Sequence, residues 1–249
     1  AARLLGKPCG RYLTLSLEAL SRREEEAFPR SVRVLAALIE TLLPPLDSAA
    51  PLLIAGLGSR SITPDAVGPR SADHVIATRH LISRSPEFFA SWRPVSVLAP
   101  GVLGQTGVET GEIVRGVLDH VRPRAVIAID ALAAGRLSRL VRTVQLADTG
   151  IVPGSGVNNA RAALDRQTLG VPVLSIGVPT VADGGSLAHE IAQQLDGAQC
   201  EALDDLSQPF IITTRDIDRE VADTARLIGY AVNMALQHIS VEEIDLYLS

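Results

Sequence analysis

Apolar positions along the chain fall into two rhythms. Short continuous runs at 52–56, 95–98, 124–130 and 169–180 predict buried strands, and TVQLA at 143–147 reads the same way. RYLTLSL at 11–17 alternates in the manner of a strand. Helical spacing covers 19–43, where VRVLAALIETLL is stopped by Pro44 and Pro45, and then 64–79, 108–121, 184–195 and 215–238. In the last of these Ile217, Val221, Ala225, Ile228, Val232 and Leu236 share one face. SVEEIDLYL closes the chain as a short helix. ALAAGRLSRL, after the fourth strand, reads as a short helical piece, the charge run 22–26 as a solvated face, and Trp92 as a packing residue. The stretch 148–159 is a long loop rich in Gly, Pro and Asn, and 196–209 is a polar surface connection. Strands alternating with helices predict an α/β fold, a three-layer α/β/α sandwich with a mostly parallel mixed sheet, as one domain over 1–249.

The candidate chemistry sits where two strands end. In LLIAGLGSRSITPDAVGP (52–69) Gly56 and Gly58 turn the strand, Thr63 caps a helix and Pro64 takes its first position. Asp65 then lies in the first helical turn, at the rim where open α/β sheets hold their ligands. Taken alone, Asp65 needs no role beyond complementing the helix dipole. In RAVIAIDALAAG (124–135) a second strand delivers Asp130 to the same rim. Two acids from separate strands make a candidate acid/base pair. His80 at a helix end and Glu109 in a first helical turn have the dipole or solvent as their simpler reading.

Other motifs narrow the field. Asp148 opens a DTG tripeptide, but pepsin-like sites need two such loops on all-β lobes, and this chain has one copy in an α/β pattern. Ser155 stands in no GxSxG elbow, no HExxH is present, and no histidine has an obvious Ser or Cys partner. The glycine-rich 101–107 stretch is neither GxGxxG nor GxxxxGK[ST], which leaves a nucleotide-binding or purine-phosphorylase-like reading without its phosphate loop.

Composition sharpens this picture. Of 249 residues, 47% are hydrophobic and only 3% aromatic, so the core is aliphatic, as suits parallel strands under helices. A net charge of −5 argues against a nucleic-acid partner. Cys9 and Cys200 form no CxxC pair, which points to a reduced intracellular setting. No apolar run reaches the ~18 residues of a membrane span, and no signal peptide opens the sequence.

In order along the chain, GLGSRSITPDAVGP, ATRHL, RPVSVLAPGVLGQTGVET, AVIAIDALAA, LADTGIVPGSGV and TLGVPVLSIGVPTV resemble the germination protease (spore protease) family, as does the tail PFIITTRDIDREVADTARLIGYAVNMAL. The resemblance implies a phosphorylase/hydrolase-like α/β/α fold and an endopeptidase of the forespore or spore-core cytoplasm. It implies that small acid-soluble spore proteins are the substrate, that a zymogen is activated by removal of an N-terminal segment, and that the chain assembles as a homotetramer. The family's proposed catalytic aspartates match Asp65 and Asp130. The segment ahead of the GRYLTL-like strand is nearly absent here, and 196–209 is shorter than in some members. A more distant similarity to hydrogenase maturation proteases matches the same two acids to metal contacts. No cofactor is expected, but a divalent metal stays open, with His80, Glu109 or Asp148 as the third ligand it would need. A spore-protein-binding module without catalysis is the non-enzyme alternative.

Overall fold

The computed structural model describes residues 7–155, 161–185, 187 and 210–249. The sheet has seven strands: β1 (Tyr12–Ser16), β2 (Leu52–Leu57), β3 (Val95–Gly101), β4 (Ala125–Ala134), β5 (Thr143–Ala147), β6 (Val173–Asp183) and β7 (Ile211–Ile212). Their order is β1-β5-β6-β4-β2-β3, with β7 paired to the far end of β6. The β6-β4-β2-β3 core is parallel, while β5 and β7 run against β6, so the sheet is mixed and mostly parallel as expected.

Among the described residues, five longer helices cover the faces: α1 (Ala27–Leu42), α2 (Val67–Asp73), α3 (Thr110–Val121), α4 (Ile217–Gln237) and α5 (Val241–Leu248). On one face α1, α2 and α4 bury Leu35, Ile39, Val67, Ile228 and Val232 against Ile54, Ile127 and Ile176. On the other, Val114 and Leu118 of α3 meet Leu53, Leu57 and Val126. All six apolar positions read onto one face of the last long helix are buried. Ser240 opens α5 as its N-cap, accepting a hydrogen bond from the Glu243 backbone at 3.2 Å.

Several elements differ from the sequence expectation, each for a local reason. The helix expected over 19–43 is broken. Only Glu18–Ser21 and then α1 are helical, and Arg23 and Glu26 between them adopt left-handed backbone (φ 54° and 58°). The charge run there is exposed, as expected. The helix expected over 64–79 ends at Asp73 because buried Asn233 of α4 captures the chain beyond it, donating to the His74 carbonyl at 2.8 Å and accepting from Ile76 N–H at 2.9 Å. Pro100-Gly101 was expected as a turn, but β3 runs through it. β3 is an edge strand, where a missing N–H is tolerated. The helical piece expected at 131–140 is instead the end of β4 followed by one tight turn, Leu137–Arg139. β6 likewise continues past Gly177 and Pro179, with a bulge opposite Leu132 and Ala133. Trp92 packs edge-on between Phe89 and Tyr247, with ring centroids 5.4 and 5.0 Å away. The helix expected over 184–195 lies for the most part, and the connection at 196–209 entirely, outside the described residues.

Candidate active site

From β2 the chain passes to β3 on one side, whereas β4 leads away to the other side of the sheet. The crevice between the carboxyl ends of β2 and β4 is therefore a topological switch point, the place where such sheets hold ligands. Asp65 and Asp130 flank it.

Asp65 arrives there on a tight loop. Gly58 leaves β2 at φ 104°, and a Cβ at that position would stand 2.1 Å from the Asp65 carbonyl oxygen, so only glycine fits. Thr63 does not cap a helix as its position predicts. Thr63–Asp65 form one 3-10 turn, and the Thr63 hydroxyl donates to Asp218 of α4 at 2.8 Å, pinning the loop to the long helix. Behind the turn, α2 lies directly on the strands. A Cβ on Gly68 would come within 2.2 Å of the Leu57 carbonyl and 2.5 Å of the Ile129 carbonyl. That contact sets the depth at which Asp65 enters the rim.

Ser59 N–H donates to Asp65 Oδ2 at 2.7 Å. The Ser59 side chain is itself buried and held from elsewhere: its hydroxyl lies 2.9 Å from that of Ser61, and Gln105 Nε2 donates to both hydroxyls at 2.9 and 3.1 Å. Gln105 comes from the turn after β3, so two strand exits brace the Asp65 loop. Sequence reading singled out neither Ser59 nor Gln105. The Ser-x-Ser spacing behind Gly58 was a usable signal for the first. For Gln105, tens of residues away, there was none.

Asp130 stands on β4 opposite Gly177 of β6, at the level where β2 leaves the sheet. It is 5% exposed, and its Oδ1 accepts a hydrogen bond from the Ala131 N–H at 2.9 Å. Burial, joined by the nearby charge of Asp65, pushes its pKa up to about 8 against the opposing Ala131 N–H. Burial also raises the Asp65 pKa, here against the Ser59 N–H. The charge of Asp65 disfavours ionisation of Asp130, and the deeper burial of Asp130 makes it the more strongly perturbed of the two acids.

The remaining candidates are elsewhere. His80 is exposed on the short helix Arg79–Arg84, beside the amino end of β3, where Thr78 N–H bonds the Val95 carbonyl at 3.0 Å. Glu109 starts α3 and pairs with Arg161 at 3.2 Å. Asp148 is held by Arg11, whose Nε and backbone N–H reach it at 2.7 and 2.8 Å. Among the described residues, no three His, Cys, Asp or Glu side chains gather as a metal-binding group.

A sequence profile described as germination protease matches residues 1–197. The chain belongs to the germination protease family. The germination protease of Caldanaerobacter subterraneus is 39% identical over 260 residues, taking in 94% of this chain and 80% of that one. That of Clostridium perfringens is 34% identical over 276 residues, covering all of this chain and 85% of its own. Among solved structures, the [NiFe] hydrogenase maturation protease HycI from Thermococcus kodakarensis aligns with a TM-score of 0.43 and 16% identity, over 79% of this chain and 99% of that one. Membership in the germination protease family makes the chain a peptidase acting on protein. No helix among the described residues is long and apolar enough to cross a membrane.

Proposed function

We propose that the chain is an endopeptidase that degrades small acid-soluble spore proteins during germination, in the spore core, using Asp65 and Asp130 on one water. The observation that supports this reading is a pair of acids, one buried and one half-buried, near enough at the switch point of the sheet for the charge of Asp65 to raise the pKa of Asp130. Ionised Asp65, oriented by the Ser59 N–H, takes a proton from water as the oxygen attacks the scissile carbonyl. Protonated Asp130 donates a hydrogen bond to the carbonyl oxygen as negative charge builds there. Collapse of the tetrahedral intermediate breaks the C–N bond, and the leaving amine takes a proton from the pair.

The test is incubation with a purified small acid-soluble spore protein, with and without EDTA, using the parent chain and the Asp65→Asn and Asp130→Asn variants. Cleavage by the parent that survives EDTA and is lost in both variants supports the reading. EDTA-sensitive cleavage favours the metal-dependent alternative. Among the described residues no third His, Cys, Asp or Glu joins the two carboxylates, and two carboxylates alone are a thin site for a transition metal. Binding without cleavage favours the non-catalytic module. Zymogen activation and a homotetramer belong to the same proposal. N-terminal sequencing of the active form and sedimentation test them.

A further inference from the structure

Beyond Asp130 the sheet loses a strand. β2 is matched to β4 only as far as Gly56 opposite Ile129, yet β4 runs on to Ala134, paired with β6. The flank that β2 vacates begins at the residue after Asp130. Strand alternation fixes which backbone groups face it. Val126 N–H donates to Pro172 on the β6 side at 2.9 Å, so Ala128, Asp130 and Leu132 also turn their N–H and C=O toward β6. The bulge at this level lies in β6 and leaves the alternation of β4 intact. Ala131 and Ala133 therefore face the vacated side. Asp130 Oδ1 takes the Ala131 N–H. The Ala131 carbonyl and both backbone groups of Ala133 have no partner among the described residues. Ala131, Leu132 and Ala133 are all partly exposed.

We infer that this flank of β4 binds the substrate: an extended polypeptide adds there as a strand, next to the acid pair. The occupant follows from the chemistry of the edge. One donor and two acceptors at strand spacing are complemented by another backbone, and strand addition is a general mode of peptide capture. The carbonyls of Ala131 and Ala133 accept from substrate N–H groups two residues apart, and Ala133 N–H donates to the carbonyl between them. Recognition there is of backbone rather than side chain, which suits a peptidase that must hold an unfolded segment across the bond it cuts. The inference rests on the peptidase reading above and adds how the substrate lies.

The test starts by mapping one bond cut in a small acid-soluble spore protein by mass spectrometry. A fluorogenic peptide of about ten residues spanning that bond is then N-methylated at one amide at a time. Strand addition predicts an alternating pattern on one side of the cut: KM rises about tenfold at two amides spaced two apart, and the amide between them is tolerated within about twofold. A flat profile, or equal losses at consecutive amides, overturns the inference while leaving the peptidase reading intact. Failure to find any cut overturns both. In the protein, Ala133→Pro removes the N–H on the open edge, where proline is tolerated. KM is expected to rise about tenfold with kcat retained, while Ala133→Ser, which keeps the N–H, behaves as the parent. If the proline variant does not fold, the methylation pattern alone decides.

Discussion

The two ends of the parallel strands hold acids of opposite character. At the carboxyl end, Asp65 and Asp130 lie near each other at the switch point, and burial raises the pKa of both. Toward the amino end, Asp148 is partly buried, which by itself raises its pKa, but Arg11 outweighs burial and holds the carboxyl below the usual range. Asp148 carries the more conspicuous motif, DTG, yet its charge is used in tying the strand that follows Arg11 to β5. What an acid can do is set by which charges fold against it, and a tripeptide does not report that.

Replacing the acids at the first end should have the largest effect. Asp130→Asn and Asp65→Asn are each expected to lower kcat by about 10²–10⁴-fold, the range of a positioned acid or base. Asp130→Asn should also stabilise the fold. The unfolded chain releases the Asp130 proton near its ordinary pKa of 3.8, and the folded chain keeps it up to about 8. Between those values the folded state holds the extra proton, so stability falls as pH rises. A neutral amide removes that dependence. At pH 7.5 the variant is expected to gain a few kcal/mol in urea unfolding, and the gain should vanish below about pH 4. A variant that loses both activity and stability would mean that Asp130 is held ionised.

Next in size is Gly68→Ala. The added methyl meets the Leu57 and Ile129 carbonyls, both backbone, so the helix must move. A cost of about 1–3 kcal/mol is expected in thermal or urea unfolding, together with lost activity as Asp65 is displaced. The same pair sets the pH profile of the parent. kcat/KM should fall above about pH 8 as the shared proton leaves. On the acid side the limb should lie above the ordinary carboxylate range, because burial raises Asp65. Asp65→Asn should remove that limb from the residual activity rather than merely shift it.

Gln105→Ala tests the brace behind Asp65. It removes the two hydrogen bonds to Ser59 and Ser61 and leaves both acids in place. About a tenfold loss in kcat with KM nearly unchanged is expected, alongside a melting temperature within a few degrees of the parent. Gln105→Glu, which keeps an acceptor where a donor is needed, should be no better.

The strands beside the acids were legible because they are aliphatic runs, although Asp65 lies on the turn beyond β2 and β4 continues past Asp130 to Ala134. Asp130 could be placed from its run alone. Asp65 was placed correctly at the rim for a partly wrong reason, since Thr63 bonds Asp218 on a helix more than 150 residues away instead of capping. Long-range partners were the recurrent blind spot. Asn233 ending α2, Gln105 bracing Ser59 and Arg11 claiming Asp148 are all contacts between side chains and segments far apart in sequence. Local spacing carries no trace of them. The place of the acids could be inferred from pattern, but the deeper burial of Asp130 relative to Asp65 could not, because it depends on the finished fold.

Asp148→Asn should have the smallest effect, and it closes the comparison from the other side. The carboxylate is 26% exposed and the Arg11 side chain 54%, so the pair is screened by solvent and contributes at most about 1 kcal/mol. Its folded pKa is lowered, so that contribution is present above the ordinary carboxylate range and is lost as pH falls through the folded value. The variant should therefore lose a few tenths of a kcal/mol at pH 7 in urea unfolding and nothing at pH 2. Its pH trend is opposite to that of Asp130→Asn. Cleavage should stay within about twofold of the parent, since Arg11 neutralises the group and the chain places it toward the far ends of the strands. A hundredfold loss of activity in Asp148→Asn, with unchanged unfolding, would mean that the acid paired with Arg11 takes part in the chemistry and that the contrast between the two ends does not hold.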